Sequence, residues 1–345
     1  MVPSFVFYLS VLLNVTLLYY KTLSTQKSEA VKNRLKERSE NFTLFEGEEI
    51  VSGWHNMRLT HIVLPFHASH LTKLEQNVKS WSQYLPCSSE DNGKAASNNN
   101  YHLVFYSSTD AKKKEKIAEI ETRLTALVTS LPEAVSKCFN SWEIQHANLS
   151  SNSDTYYRGT RLMLEKMLLG KVRFGNNSIP FHGEIPAEVN LGYAFYMEPD
   201  CVPVRNNWLN ALDWNSRWPN QIFWIKGSIY RGGNKGPYAT RHPPQYYHLN
   251  GNALFNLNDR AFRSFYVKHY RPWALAAAAV HERSFDTDFW RFLHNLDTIN
   301  VVKGVYHRFA YTDVVQNWWR SSYSLSKIKA EQPNTYLVHG GYQKP

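Results

Sequence analysis

Along residues 58–200, solid apolar runs alternate with runs of helical spacing. Thr60-His-Ile-Val-Leu-Pro65 is a β-branched and aliphatic run closed by proline, and Tyr101-His-Leu-Val-Phe-Tyr106 is a second run of strand length. Gly192-Tyr-Ala-Phe-Tyr-Met197 is apolar on both faces, which predicts a central strand covered on each side. Leu71, Leu74, Val78 and Trp81 repeat at helical spacing over Leu71–Tyr84, as do Leu162, Leu164, Met167 and Leu168 over Tyr157–Leu169. A further helix is predicted over residues 111–131, a third strand within Ala134–Gln145, and a surface loop over the polar residues 88–100. Strands alternating with helices in this way predict an α/β fold, an open and mostly parallel sheet flanked by helices.

The N-terminus has a different pattern. Val2–Tyr20 carries no charge, and its nineteen residues are enough to cross a hydrocarbon core of ~30 Å as a helix. It lacks a basic leading segment and ends in Leu-Leu-Tyr-Tyr rather than a small-residue cleavage site, so a signal-anchor is expected over residues 1–20 rather than a cleaved signal peptide. Residues 21–55 are polar and read as a stem, leaving residues 56–345 as the globular domain. Lys21, Lys27, Lys32, Arg34, Lys36 and Arg38 follow the span and favour a cytosolic domain, whereas the glycosylation sequons at Asn41, Asn148 and Asn176 favour a lumenal one.

Composition narrows the classes. With 43% hydrophobic residues, 11 Trp, 21 Tyr and 18 Phe, the chain is globular; 16 Gly and 3 Cys exclude collagen-like and disulfide-framework proteins. Cys87, Cys138 and Cys201 allow at most one internal disulfide, which does not settle the compartment. A formal net charge of +10 suits an anionic partner. The basic residues are scattered, so a membrane surface or a phosphate-bearing small molecule is expected rather than nucleic acid. No phosphate loop, dinucleotide fingerprint, zincin motif, paired Cys zinc site or nucleophile elbow is present.

Four constellations carry candidate chemistry. The central strand runs into Glu198-Pro-Asp200, two carboxylates one residue apart where an open α/β sheet places its ligands. On an extended chain they face the same way and suit Mg²⁺ or Mn²⁺; an acidic turn after a strand is the plain alternative. Phe223-Trp-Ile-Lys226-Gly227-Ser-Ile-Tyr-Arg231, a glycine-rich basic loop and His248-Leu-Asn250-Gly251-Asn252 describe backbone that approaches a ligand closely, or else a hairpin with an Asn-Gly turn. In His281-Glu-Arg-Ser-Phe-Asp286-Thr-Asp288, Ser284 or Asp286 can cap a helix carrying Phe289, Phe292 and Leu293. Near the C-terminus, Asn334-Thr-Tyr-Leu-Val-His339 is a short strand leading to a histidine.

Together these motifs resemble, in order, those of GT-A-fold glycosyltransferases, over residues 58–342. Glu198-Pro-Asp200 is similar to the family's acidic Asp-x-Asp motif, with Glu in place of the first Asp. The resemblance implies a GT-A-like fold and a type II membrane protein with a lumenal domain in the Golgi or endoplasmic reticulum. The implied activity is transfer of a hexosyl or pentosyl group from a nucleotide-diphosphate sugar to a glycan or glycoprotein hydroxyl. It further implies a Mn²⁺ or Mg²⁺ ion held by Asp200, Glu198 and His339, with His307 as the substitute histidine. Pro65, Phe66 and Ser107 would rim the nucleotide half, and Lys226, Gly227, Arg231, Asn250, Gly251 and Asn252 would border the donor and acceptor. If the reaction inverts, Asp288 would take the acceptor proton and Asp286 would be the helix cap. A non-catalytic glycan-binding protein on the same fold, or a metal-dependent hydrolase or phosphodiesterase, are the alternatives.

Overall fold

The computed structural model describes residues 57–87, 101–170, 192–218, 222–232, 246–257 and 259–343. The expected anchor over 1–20, the stem over 21–55, the loop over 88–100 and the sequons at Asn41 and Asn176 lie outside these residues. Among the described residues no helix is long and apolar enough to cross a membrane.

The centre of the fold is a seven-stranded sheet in the order β3-β2-β1-β4-β7-β6-β8. Its strands are β1 (Leu59–Phe66), β2 (His102–Ser107), β3 (Ser141–His146), β4 (Tyr193–Tyr196), β6 (Ile225–Gly227), β7 (Ala253–Asn256) and β8 (Phe309–Tyr311). β1 pairs in parallel with β2 and β4, β2 with β3, and β6 with β8, while β7 runs antiparallel to both β4 and β6. The sheet is therefore mostly parallel, with one reversed strand. β6 and β7 do form an antiparallel pair, but residues 228–252 separate them, so Asn250-Gly251 is no two-residue hairpin turn.

The helices α1 (Leu71–Ser80), α2 (Lys114–Thr129), α3 (Tyr156–Leu168) and α5 (Phe285–Leu293) fall where they are expected, and α4 (Trp208–Arg217) is a further helix that the spacing does not predict. Ile62, Leu64, Leu103, Phe105 and Phe195 of the strands form one core with Leu74, Val78 and Trp81 of the α1 segment, Ile120 and Leu124 of α2, and Leu209 and Leu212 of α4. All four residues of β4 are buried, in keeping with its uniformly apolar sequence. The third strand, expected within Ala134–Gln145, is Ser141–His146, and Glu133–Ser136 forms a helical turn before it. A disulfide joins Cys87 to Cys138, and Cys201 remains a buried free thiol. Buried Asp213 of α4 anchors that helix to β1, accepting from the Leu59 N–H at 3.2 Å, Arg58 Nη2 at 3.1 Å and Arg217 Nη2 at 2.8 Å.

A three-stranded sheet, ordered β5-β11-β9, completes the architecture that positions the site. β5 (Cys201–Pro203) follows β4 after a turn, β9 is Val315–Asn317 and β11 is Leu337–His339. β11 runs antiparallel to β5, setting His339 opposite Cys201, and parallel to β9, setting His339 opposite Asn317. Residues 294–304 group outside the main unit and contain the 3₁₀ turn Leu296–Thr298 and the short helix Ile299–Val302.

Candidate active site

The carboxyl end of β4 does not continue as extended chain. The Cys201 N–H donates to the Glu198 carbonyl at 2.9 Å, closing a β-turn with Pro199 at its first inner position, where the ring's fixed φ is favoured. Buried Asn77 of α1 holds this turn through its Nδ2, which donates to the carbonyls of Cys201 at 2.7 Å and Pro199 at 3.3 Å. The two acids face the same partner because of a turn, not because of the two-residue period of a strand.

That partner is His339. Its Nε2 lies 3.0 Å from Glu198 Oε2 and 3.3 Å from Asp200 Oδ1. On the opposite edge of the ring, Nδ1 is 3.2 Å from Asn317 Oδ1. That oxygen also accepts the Trp319 N–H at 3.0 Å, which fixes the orientation of the amide. An amide oxygen only accepts, so Nδ1 carries the hydrogen and Nε2 is the nitrogen presented to the carboxylates. The Gly340 N–H donates to the Asp200 carbonyl at 3.0 Å, and Gly340 sits at φ +67° with a Cβ position 3.3 Å from Trp319 Cα, a place for glycine.

Electrostatics bind this cluster tightly. Burial alone would lower the His339 pKa, but its contacts with Asp200 and Glu198 raise it to about 10. Burial disfavours the Asp200 carboxylate, yet His339 and Lys73 overcome this and hold its pKa well below the usual range. Lys73 Nζ of α1 stands 3.0 Å from Asp200 Oδ2.

The donor set passes the test for a divalent cation. Two carboxylates and one imidazole offer ligand atoms that all lie within 4.8 Å of one another. Cations bound at about 2.0–2.3 Å in an octahedron have neighbouring ligands roughly 3 Å apart, and mixed oxygen and imidazole ligands suit Mn²⁺. The hydrogen bond from Nδ1 to Asn317 is the outer contact that metal-binding histidines generally make. His307 stands on the short turn Tyr306–Arg308 and does not belong to the group.

The Asn-Gly-Asn segment adjoins the cluster directly. Asn252, fully buried, accepts the Glu198 N–H through Oδ1 at 2.8 Å and donates through Nδ2 to Glu198 Oε2 at 3.1 Å and Asn250 Oδ1 at 2.9 Å. A Cβ on Gly251 would meet the Phe285 ring at 2.9 Å and come within 3.7 Å of Glu198 Oε1. Gly227 is close-packed too, with its Cβ position 3.0 Å from Ala253 Cβ and 3.2 Å from the Asn250 carbonyl.

The two late acids have different surroundings. Asp286 Oδ2 accepts the Gly251 N–H at 3.2 Å and stands 3.4 Å from His248 Nε2, while Oδ1 accepts the Thr287 N–H at 2.7 Å. Burial opposes its charge, but His248, Ser284 and Thr287 bring its pKa down to about 2. Asp288 instead turns into the interior, paired with Arg291 at 3.3 Å and with Oδ2 left without a hydrogen-bond partner; burial raises its pKa. Position along the helix explains the difference: residues two apart on a helix point to different faces.

Other expected residues are not brought to the cluster. Lys226 Nζ donates to the carbonyls of Asn215, at 2.9 Å, and Trp218 at the end of α4, and burial lowers its pKa to about 8. Arg231 pairs with Asp313, and only its backbone N–H reaches site structure, donating to the Asn317 carbonyl at 2.7 Å. Pro65, Phe66 and Ser107 lie at the carboxyl ends of β1 and β2, paired in register Pro65 with Tyr106 and Phe66 with Ser107. Beyond them Asp154 accepts from Ser108 Oγ at 2.9 Å and lies 3.3 Å from His67 Nε2. Lys73, Asn317, His248 and Asn77 were not singled out from the sequence; their types and spacing carry no local signal, because each acts on a residue distant in the chain.

No protein-family model and no curated protein matches the sequence. The chain resembles solved glycosyltransferases. One is galactosyltransferase LgtC with donor and acceptor sugar analogues, at 12% identity and a TM-score of 0.43, covering 81% of this chain and 87% of that one. Another is mouse xyloside xylosyltransferase 1, also at 12% identity and a TM-score of 0.43, covering 81% and 97%. The bifunctional glycosyltransferase WbbM follows at 11% identity and a TM-score of 0.41, covering 84% of this chain and 47% of that one.

Proposed function

We propose that the chain is a divalent-cation-dependent glycosyltransferase that moves a sugar from a nucleotide-diphosphate donor to a hydroxyl of a glycan or glycoprotein. The observation that carries this reading is the meeting of Glu198, Asp200 and His339 at the carboxyl end of the central strand, beside a glycine segment and a second carboxylate, Asp286. A cation held there supplies charge neutralisation for a departing diphosphate.

The chain's own residues do the remaining work. Asn252 fixes Glu198 from two sides, and Asn317 fixes the His339 ring, so the ligand atoms are preorganised. Gly251, whose N–H holds Asp286 and whose missing side chain leaves space against Glu198, separates the cation end from the acceptor end. Asp286 accepts the hydrogen bond of an acceptor hydroxyl. A carboxylate with a pKa of about 2 is a weak proton acceptor at neutral pH, so its main role is to orient that hydroxyl and stabilise positive charge on the transferred sugar.

A lumenal location in the secretory pathway belongs to the same proposal. It is supported by the Cys87–Cys138 disulfide, which suits an oxidising compartment, and by the exposure of Asn148 and Ser150 in a sequon. Incubating the full chain with a panel of nucleotide sugars tests the function. Release of nucleoside diphosphate with Mn²⁺, lost with chelator and in Asp200→Asn, supports it. Binding of glycans without donor turnover would favour a lectin instead, and sugar release indifferent to acceptor would favour a hydrolase.

A further inference from the structure

We propose that Lys73 is an exchangeable counter-ion: it holds Asp200 while no divalent cation is bound, and turns to the donor's phosphate oxygens once a cation occupies the acids. The inference rests on the functional reading above and assigns the anion-binding charge that this reading needs.

The Arg231–Lys235 loop is one expected source of that charge, and Lys226 is expected to border the donor; Lys235 lies outside the described residues. Arg231 is paired with Asp313, and Lys226 is bonded to the carbonyls that end α4, so neither ammonium nor guanidinium is directed at the acids. Lys73 is. Its Nζ lies 3.0 Å from Asp200 Oδ2, on the side of that carboxylate away from His339, which contacts Oδ1 at 3.3 Å.

Its position is otherwise unfavourable. Lys73 is in the first turn of α1, which carries no acidic residue there and no side-chain cap, so its charge adds to the positive end of the helix dipole. A cation at that place is disfavoured locally and is offset by Asp200. The positive end of α1 and the Lys73 ammonium thus lie on the Asp200 side of the acids. Lys73 is also free to move, with 53% of its side chain exposed against 29% for Asp200.

Charge decides the direction of exchange. A divalent cation brings two positive charges to acids that Lys73 neutralises only in part, so the cation displaces the ammonium. The released ammonium then remains within a side chain's length of the cation, where a bound diphosphate places its negative oxygens. A strongly hydrated point charge on a flexible stem suits that exchange better than a fixed fork.

Calorimetry on the full chain and on Lys73→Gln separates the two states. With Mn²⁺ alone, the variant is expected to bind as tightly as the wild type or about two- to fivefold tighter, the range for losing an exposed competing ion pair. With Mn²⁺ saturating, inorganic pyrophosphate is expected to bind about 10–100-fold more weakly, the range for losing a charge-assisted contact. Lys73→Arg is expected to restore most of that loss. Unchanged pyrophosphate affinity in Lys73→Gln, or a parallel loss of Mn²⁺ and pyrophosphate, overturns the exchange while leaving the cation site intact. A wild type that binds no Mn²⁺ removes the functional reading and this inference with it.

Discussion

Replacing Asn317 by alanine isolates how the fold prepares His339 for a cation. The substitution removes one oxygen that accepts both the His339 Nδ1 hydrogen, at 3.2 Å, and the Trp319 N–H, at 3.0 Å. His339 is 3% exposed, so no solvent replaces the lost partner on its ring. A buried donor left without an acceptor costs about 1–3 kcal/mol, and the second, partly buried donor adds less; we expect a total of about 2–3 kcal/mol. For a domain of this size that lowers the melting temperature by roughly 4–10 °C. The ring is then free to turn or to shift its hydrogen to Nε2, and loss of such an outer contact weakens metal binding about 10–100-fold. The assay is Mn²⁺ titration by calorimetry, with thermal denaturation in chelator as the control for folding. Asn317→Asp keeps an acceptor at the same place and is expected to hold Mn²⁺ within a few-fold of the wild type. If Asn317→Ala loses stability but binds Mn²⁺ as tightly as before, Asn317 does not orient the ligand and the tautomer argument is wrong.

The remaining predictions concern the acids, the glycine and the disulfide. Asp286→Asn is expected to reduce sugar transfer by about 10²-fold, the range for losing an electrostatic stabiliser, with Mn²⁺ affinity unchanged, while Asp288→Asn changes mainly the melting temperature; kinetics and calorimetry on both variants check this. Gly251→Ala forces its new methyl against the Phe285 ring at 2.9 Å, and this is expected to displace Phe285 and the Asp286 contact beside it, lowering transfer more than stability. The Asp286 carboxyl falls from the ordinary 3.8 to about 2 on folding, so the stability it contributes, about 2 kcal/mol, is present above pH 4 and lost as pH falls through 2. An acid titration of Asp286→Asn should be flatter than that of the wild type over that window. Reduction of Cys87–Cys138, which closes a separation of 51 residues, is expected to cost about 4 kcal/mol, read as a lower melting temperature in reductant.

The alternation of strand and helix was legible in the chain because periodicity reports which face of an element is buried, and burial is the largest local constraint on residue type. β1, β2, β4, α1, α2 and α3 follow from it, as does the placing of Glu198 and Asp200 at the end of the most apolar strand. What periodicity does not report is which distant residue a polar group will meet. Asp286 and Asp288 have the same composition and nearly the same place in the chain. The packing of α5 against the Gly251 segment sends one to the Gly251 N–H and the other into the interior.

The same reason governs the residues that sequence alone passed over. Lys73 matters because α1 leaves β1 toward the turn at Asp200, and Asn317 because β9 lies beside β11 in register with His339. Lys226 and Arg231 are the basic residues expected to border the donor, yet their charges are taken up by the end of α4 and by Asp313. The chain by itself determined the candidate ligands and their order. The tertiary structure decided their partners, because hydrogen bonds and ion pairs act over about 3 Å between groups that only the crossing of strands and helices brings together.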